Sequence, residues 1–250
     1  MAGRDRPAQE LGRGARLAGL RYRLYIHVTR KEDSSKYRLL LRAAALSLLI
    51  PALAGCQSAY YEAAEKVGYH KRDILVDRVE DSRDAQLEAE EQFTSALEQL
   101  SALTNFEGGD LEKTYKKVAA EYEDAEDAAT EVRERIDGVE NVAGALFREW
   151  EDEIGQYSSA KLKADSQAKL RDTRSRYDGM ISAMRRSEAK MDPVLAALKD
   201  NVLYLKHNLN AQAVASLKVE LGDIEQDIEA LIREMRKSID ASNAFIDTLQ

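Results

Sequence analysis

The apolar residues of this chain recur at alternating steps of three and four over most of its length, and this spacing constrains the fold more than any other feature. It places them on one side of an α-helix, and a repeat of about 3.5 residues keeps that side facing a neighbouring helix. The clearest series span 111–150 and 217–249, a third recurs every seven residues over 170–205, and a looser one spans 67–103. No alternating strand pattern of useful length competes, so the sequence predicts long helices packed side by side.

Turn-forming residues divide this pattern into four parts. The last 195 residues contain one proline and eight glycines, which is typical of few, long helices. Polar turns occur at 105–110, 155–159 and, more weakly, 208–210. Each turn contains a candidate helix cap: Asp110, Ser158 or Ser159, and Asn210. The sequence therefore predicts an all-α fold, an elongated antiparallel coiled-coil-like bundle of four long helices near 59–104, 110–156, 159–208 and 211–250.

Pro193 lies inside the third predicted helix, directly after Asp192. An Asp-Pro pair is typical of a helix start, but the seven-residue repeat passes from Met191 to Leu198 without losing phase. We expect one helix that is kinked near residue 190; a break into two helices is the alternative.

A short apolar run precedes the helical pattern and ends in the only cysteine of the chain. The run spans 43–54 and is too short for a bilayer span, which needs about 20 residues. With three basic residues before it, it is typical of a secretion signal. It closes with Leu53-Ala54-Gly55-Cys56, which resembles the bacterial lipobox, where a precursor is acylated on cysteine and cut before it. We predict a membrane anchor at lipidated Cys56; a buried core helix that ends in a cysteine is the alternative.

The position of Cys56 also suggests how the chain is divided. Signal peptides run about 15–30 residues, yet 55 residues precede this cysteine. We therefore interpret residues 1–35 as a spurious or disordered extension, 36–55 as the lipoprotein signal peptide and 56–250 as the mature helical-bundle domain.

The charge of the chain changes sign at this boundary. Residues 1–55 carry 11 Lys and Arg against 4 Asp and Glu, whereas residues 56–250 carry 26 against 41, a net charge of −15. Such an acidic domain repels phosphate backbones, so we expect no nucleic-acid partner. Once Cys56 is acylated, no thiol remains for a disulfide or for catalysis.

Residues that could hold a metal ion or catalyse a reaction are not grouped in the sequence. His70 and His207 are the only histidines after Cys56, and neither belongs to the Glu-x-x-His pair of di-metal four-helix proteins. Carboxylates are dense at 121–127, but helical spacing leaves them on the outer face; weak divalent-cation binding is the alternative to simple solvation. We expect no metal, no cofactor and no enzymatic activity.

One stretch of the acidic domain, residues 161–190, is basic. Its candidate surface residues are Lys161, Lys163, Lys169, Arg171, Arg174, Arg176, Arg185, Arg186 and Lys190. They could touch a membrane surface or an anionic polymer, but we favour internal ion pairs. In a hairpin that turns near residue 157, Lys161 and Lys163 fall beside the acids of 149–153. Arg185 and Arg186 fall near the acidic run around residue 127.

Polar residues interrupt two of the apolar series at the same height along the bundle. Ser82 and Gln86 of the first helix fall near Ser187 and Glu188 of the third. We interpret these four as a polar core layer that fixes the helix register; a small ligand cavity is the alternative.

The chain resembles an uncharacterised family of lipoproteins from Gram-negative proteobacteria. The resemblance extends from the lipobox through Gly68-Tyr69-His70-Lys71-Arg72 to Ser238-Ile239-Asp240. It implies periplasmic exposure and a diacylglyceryl group on Cys56. Because Gln57 is not the aspartate that retains such lipoproteins in the inner membrane, it also implies the inner leaflet of the outer membrane.

These features favour a lipid-anchored, non-enzymatic adaptor or structural rod with protein partners in the envelope, and a homo-oligomer is compatible with the helical seams. The alternative is a membrane-surface or lipid-binding module, similar in outline to BAR domains, that uses residues 161–190.

Overall fold

Four α-helices make up the described part of the chain. The computed structural model describes residues 70–106, 108 and 110–249, and over these residues there is no strand. The helices are α1 Lys71–Thr104, α2 Leu111–Gln156, α3 Ala160–His207 and α4 Ala211–Leu249. The predicted all-α bundle of four long helices is thus confirmed. The predicted start of the first helix near residue 59, the signal segment and Cys56 all lie outside the described residues.

Side-chain caps begin three of the helices where the turn residues predicted them. The Asp110 carboxylate accepts a hydrogen bond from the Lys113 N–H at 3.1 Å, and Ser159 Oγ accepts one from the Leu162 N–H at 3.4 Å. Asn210 Oδ1 accepts from two backbone N–H groups of α4 at 3.0 Å. Each cap satisfies N–H groups that have no partner inside the helix, so the helix starts follow from local chemistry.

The helices form a square, with each helix packed against two neighbours. α1 contacts α2 and α4, and α3 contacts the same two. Because the connections are short, consecutive helices run antiparallel, and α1 and α3 run parallel across the diagonal. This is the up-down-up-down topology expected for four helices of similar length.

The interior is filled by the apolar seams that the sequence periodicity predicted. Its largest fully buried side chains are Phe93, Leu75, Leu100, Leu103, Ile136, Met180, Met184, Met191, Leu205, Ile228, Leu231 and Met235. Each such side chain stabilises the fold by about 1.5–3 kcal/mol relative to exposure. Near the end of α2 the seam shifts by one position: Phe147 and Ile154 are buried, whereas Leu146 and Trp150 are only half-buried.

α3 continues through Pro193 without interruption, so the break into two helices is wrong. Pro193 is exposed, while Met191 and Val194 beside it are buried. A proline cannot donate to the carbonyl of residue 189, but on the exposed side that carbonyl remains open to water. The seam therefore keeps its phase across the proline.

The two ends of the bundle are not level. Lys71 Nζ at the start of α1 pairs with Glu149 Oε1 at 3.0 Å, and α2 continues to Gln156. Seven further residues extend it by about 10 Å. We call residues 150–170, which include the turn from α2 to α3, the tip hairpin; it lies at the end of the bundle where the chain enters α1. The opposite end, with the turn from α3 to α4, is called the distal end.

Candidate functional site

Three of the four predicted polar-layer residues lie in the bundle interior. Ser82, Gln86 and Ser187 are fully buried. Ser187 Oγ donates to Gln86 Oε1 at 3.2 Å or to the Met184 carbonyl at 2.7 Å, and Gln86 Nε2 donates to the Ser82 carbonyl at 3.1 Å. Ser82 Oγ completes the layer by contacting Met184 Sδ at 3.9 Å. The layer joins α1 to α3 across the diagonal of the bundle.

The fourth predicted member of this layer, Glu188, is wrongly placed by the sequence prediction. Its side chain lies at the bundle edge, 20 % exposed, and pairs with Arg185 at 2.8 Å and with Arg133 at 3.7 Å. Ser187 and Glu188 are consecutive, and one residue step turns a helix by about 100°. Because Ser187 points inward, the carboxylate of Glu188 reaches the surface, where it is solvated and paired.

The sequence prediction omitted other buried polar residues. Ser238 and Ser242 of α4 are fully buried, and Ser242 Oγ donates to the Ser238 carbonyl at 2.8 Å. Ser238 Oγ and the Oδ1 atom of buried Asn201 have no hydrogen-bond partner among the described residues. The serines were visible as the only polar members of the last apolar series, whereas Asn201 gave no signal because Val202 beside it fits the series.

Arg185 is the most heavily paired member of the predicted basic surface. Its guanidinium donates to Glu140 through two nitrogens, at 3.2 and 2.7 Å, and also to Asp137 and Glu188. The hydrogen bond to Glu140 is the main reason that the pKa of Arg185 is raised above its ordinary value. This cluster links α2 to α3 at the surface and fixes how far the two helices are shifted along each other.

Four arginines of the basic stretch form ion pairs with acidic residues, whereas Arg171 and the lysines of the stretch form none among the described residues. Arg174 pairs with Glu151 at 2.8 Å, Arg176 with Asp172 one turn away on its own helix at 2.9 Å, and Arg186 with Glu234 of α4 at 3.9 Å. Within the part of the chain that the structure describes, no ion pair involves the remaining predicted surface residues Lys161, Lys163, Lys169 and Arg171. Internal pairing was therefore the correct expectation for Arg174, Arg176, Arg185 and Arg186 only.

The predicted pairing heights are wrong by about three helical turns. Arg185 meets Asp137 and Glu140 instead of the run around 127, and Glu149 pairs with Lys71 instead of a lysine of the tip hairpin. Side chains tilt toward the N-terminus of their own helix. Those of α3 therefore lean toward the tip hairpin and those of α2 lean away from it. An arginine further along α3, Arg174, therefore reaches back to Glu151.

An aromatic group closes the bundle beside the tip hairpin. The ring of Tyr177 contacts Phe147 at a centroid distance of 5.4 Å and Phe245 at 6.1 Å, both edge to face. Arg174 lies over the Phe147 ring at 4.9 Å. Burial is the main cause that raises the pKa of Tyr177 to about 12, so its hydroxyl stays protonated over the ordinary pH range.

A groove runs along the surface between α1 and α4, and the sequence analysis did not predict it. One part, about 680 Å³, is lined by Leu87, Thr94 and Glu98 of α1 and by Ile239 of α4, among others. A second part of about 430 Å³ continues past Glu98 to Asn105. The groove is open because Thr94, Ser95, Ser101 and Ala102 are small; these small residues between acids were the only available signal. We call it the α1–α4 groove.

Large exposed apolar side chains are concentrated in three places. The tip hairpin carries Tyr157 and Leu162, the α1–α4 groove carries Leu87, and the distal half of the bundle carries Leu203, Tyr204, Leu209 and Val219. Val219 is 82 % exposed and Leu162 55 %. Single exposed apolar residues such as Leu87 are ordinary, but the grouping of the others at the two ends of the bundle marks these ends as candidate contact surfaces.

The described residues contain neither a cluster suited to a metal ion nor a helix suited to crossing a membrane. Among them, no group of three or more His, Cys, Asp or Glu is arranged to hold a metal ion. His70 and His207, at the ends of α1 and α3, are both exposed. In the acidic run, the Tyr122 hydroxyl donates to Glu126 at 2.7 Å. None of the four helices is long and apolar enough to cross a membrane.

The described residues define an all-helical, antiparallel four-helix bundle with a polar layer across its interior and exposed apolar side chains at its ends. The model of the family described as "Protein of unknown function (DUF2959)" matches residues 60–249, so the chain belongs to this family. No curated protein and no solved structure gives a significant match. The resemblance to an uncharacterised family is thus confirmed, and the lipoprotein character of that family stays a prediction.

Proposed function

We propose that the protein is a lipid-anchored, non-enzymatic adaptor in the envelope of a Gram-negative bacterium, held to the periplasmic face of a membrane by acylated Cys56. The sequence Leu53-Ala54-Gly55-Cys56 and the apolar run before it support the anchor. The inner leaflet of the outer membrane is the proposed location, because Gln57 follows the cysteine. Two or more acyl chains hold a protein stably to a bilayer.

The observation that carries the adaptor role is the grouping of exposed apolar side chains on an otherwise well-filled bundle. α1 spans 34 residues, or about 50 Å. The distal end, with Leu203, Tyr204 and Val219 exposed, therefore lies about that far from His70, where the chain enters the bundle. His70 is only 14 positions after Cys56 in the sequence. Such a rod would present a contact surface to envelope proteins at a distance set by its helix length.

Site-specific photo-crosslinking in cells tests this role. A photoreactive amino acid replaces Leu203 or Val219 at the distal end, and exposed Glu123 serves as the control position on α2. The proposal expects the same envelope protein, identified by mass spectrometry, from both distal positions and not from the control. Absence of any crosslinked protein at either distal position, or equal crosslinking at Glu123, would count against the adaptor.

One observation favours a second candidate, contact of the tip hairpin with an anionic bilayer surface. Lys161, Lys163 and Lys169 lie at the end where the chain enters α1 and have no ion pair among the described residues, and Leu162 beside them is 55 % exposed. Basic side chains around an exposed apolar group are typical of interfacial attachment. The acids of the same hairpin, Asp152 and Glu153, oppose this contact.

Vesicle co-sedimentation tests the second candidate on the full chain with Cys56→Ser, which removes the acyl anchor. At low salt, this chain should bind vesicles of mixed zwitterionic and anionic phospholipid, and reversal of the three tip lysines to glutamate should abolish binding. The matched control reverses Lys113, Lys117 and Lys206 at the opposite end. Equal loss in both triple variants, or no binding at all, would remove this candidate.

A further inference from the structure

We propose that the α1–α4 groove is the docking site for a cationic amphipathic helix of a partner protein. This deepens the adaptor role and rests on it. The inference follows from the length, floor and charge of the groove.

The length of the groove suits a helix. Its two parts share Glu98 and together extend along α1 from Leu87 to Asn105. Eighteen residues of α1 correspond to about 27 Å, which is the length of five turns of a docked helix. The α4 wall continues past both ends of the groove, whereas the α1 wall continues past Leu87 and ends at Thr104, next to Asn105.

The floor of the groove offers apolar contact without being filled. Leu87 is 46 % exposed, and Ile239, Leu97 and Leu221 are partly exposed along the same line. Small side chains lie between them, so a bulky apolar residue from outside could enter. Apolar anchors at steps of three, four and seven are how an amphipathic helix binds such a groove.

The charge of the groove selects a basic partner. Glu90, Glu91, Glu98, Asp240 and Glu225 line its two parts. The Glu90 carboxylate is already paired with Arg236. Among the described residues, no ion pair involves the other four, and Arg236 is the only cation lining either part. Lysines or arginines flanking the apolar stripe of an incoming helix would therefore meet carboxylates on both walls.

Binding of a designed peptide tests this inference with the full chain carrying Cys56→Ser. The probe is a fluorescein-labelled, 18-residue helical peptide with leucine at steps of three and four and lysine elsewhere. A second peptide replaces every lysine by glutamate. Fluorescence anisotropy measures the affinities of both peptides at about 50 mM salt. Low salt is used because the Debye length falls to near 10 Å at about 0.1 M, where interactions between exposed charges are more strongly screened.

Three variants separate the groove from the general acidity of the domain. Glu91→Lys with Glu98→Lys reverses two groove charges, and Asp127→Lys with Glu134→Lys makes the same change, at the same seven-residue spacing, on the outer face of α2. Leu87→Gln removes an apolar contact without changing charge. We expect the groove reversal to weaken binding about tenfold or more, the α2 reversal to weaken it less than twofold, and Leu87→Gln to weaken it several-fold.

Each remaining outcome overturns the inference. Equal weakening by both charge reversals would show that only net charge matters. Binding of the glutamate peptide, or no binding of the lysine peptide, would exclude a cationic helix. Self-association of the chain that is lost in the groove variant would assign the groove to a second copy. The adaptor role is judged separately, because crosslinking at the distal end does not depend on the groove.

Discussion

Gln86 offers a sharp test of how the polar layer contributes to the fold. Its side chain is fully buried, accepts a hydrogen bond from Ser187 and donates one to the Ser82 carbonyl. Gln86→Ala removes an amide and a methylene group from the interior and leaves a cavity, whereas Gln86→Leu keeps most of the volume and removes only the polar atoms. The two variants therefore separate packing from hydrogen bonding.

The expected cost of Gln86→Ala is about 3 kcal/mol. Truncating a buried side chain of similar size costs about 2–5 kcal/mol, and each lost hydrogen bond costs about 1 kcal/mol. The expected cost lies in the lower part of this combined range because the variant leaves no buried polar group without a hydrogen-bond partner. Ser187 Oγ keeps the Met184 carbonyl at 2.7 Å, and the Ser82 carbonyl keeps the backbone hydrogen bond of the helix. For the same reason Gln86→Leu should stay within about 1 kcal/mol of the parent.

Urea unfolding followed by helical circular dichroism measures both variants, with the slope held equal so that the midpoint reports stability. A loss of about 3 kcal/mol corresponds to about 6–12 °C in Tm for a domain of this size. A loss below about 1 kcal/mol for Gln86→Ala would contradict the buried layer. If Gln86→Leu costs as much as Gln86→Ala, the lost hydrogen bonds rather than the lost packing dominate, and the limit of about 1 kcal/mol expected for Gln86→Leu is wrong.

Three further changes probe the surface cluster, the aromatic group and Pro193. Arg185→Gln should lower the free energy of unfolding in urea by about 1–2 kcal/mol, because one guanidinium binds three carboxylates. The control Arg176→Gln removes a single exposed ion pair and should cost less than about 0.5 kcal/mol. Burial raises the pKa of Tyr177 to about 12, so the folded state keeps a proton that the unfolded state loses. Stability should therefore fall as the pH rises from about 10 through about 12, and Tyr177→Phe should reduce that fall in alkaline unfolding. Pro193→Ala should raise the free energy of unfolding in urea by about 1–2 kcal/mol, because it restores a helical donor on the exposed side.

Opposite results would identify which step fails. Equal effects of the two arginine variants would mean that the surface cluster does not fix helix height. An unchanged alkaline loss in Tyr177→Phe would place the titrating groups elsewhere. A destabilising Pro193→Ala would mean that the bundle depends on the geometry that the proline imposes on α3.

The helices and their seams could be predicted because they depend on local chemistry and on one periodicity. Asp110, Ser159 and Asn210 cap the helices that follow them, and the seven-residue repeat crosses Pro193 because exposed Pro193 disturbs only the outer face. Ser82, Gln86 and Ser187 interrupt their seams in the sequence and lie buried together in the bundle. Periodicity therefore located the helices and the interior face of each one.

The surface contacts could not be predicted, since they depend on relative heights and on side-chain direction. Counting residues from the turn placed Arg185 beside residue 127, but the N-terminal tilt of side chains on both helices brings it to Asp137 and Glu140. The α1–α4 groove depends on how closely two non-consecutive helices approach, which no single-helix pattern encodes.

The anchor at Cys56 can be tested by mass spectrometry of the protein isolated from its native cells, since the whole tethered-rod function depends on it. We predict an amino-terminal peptide that begins at Cys56, carries a diacylglyceryl group with a further acyl chain, and is recovered in the detergent-soluble membrane fraction. A chain that begins upstream of Leu53, has a free Cys56 thiol and stays in the aqueous fraction would contradict the proposed function.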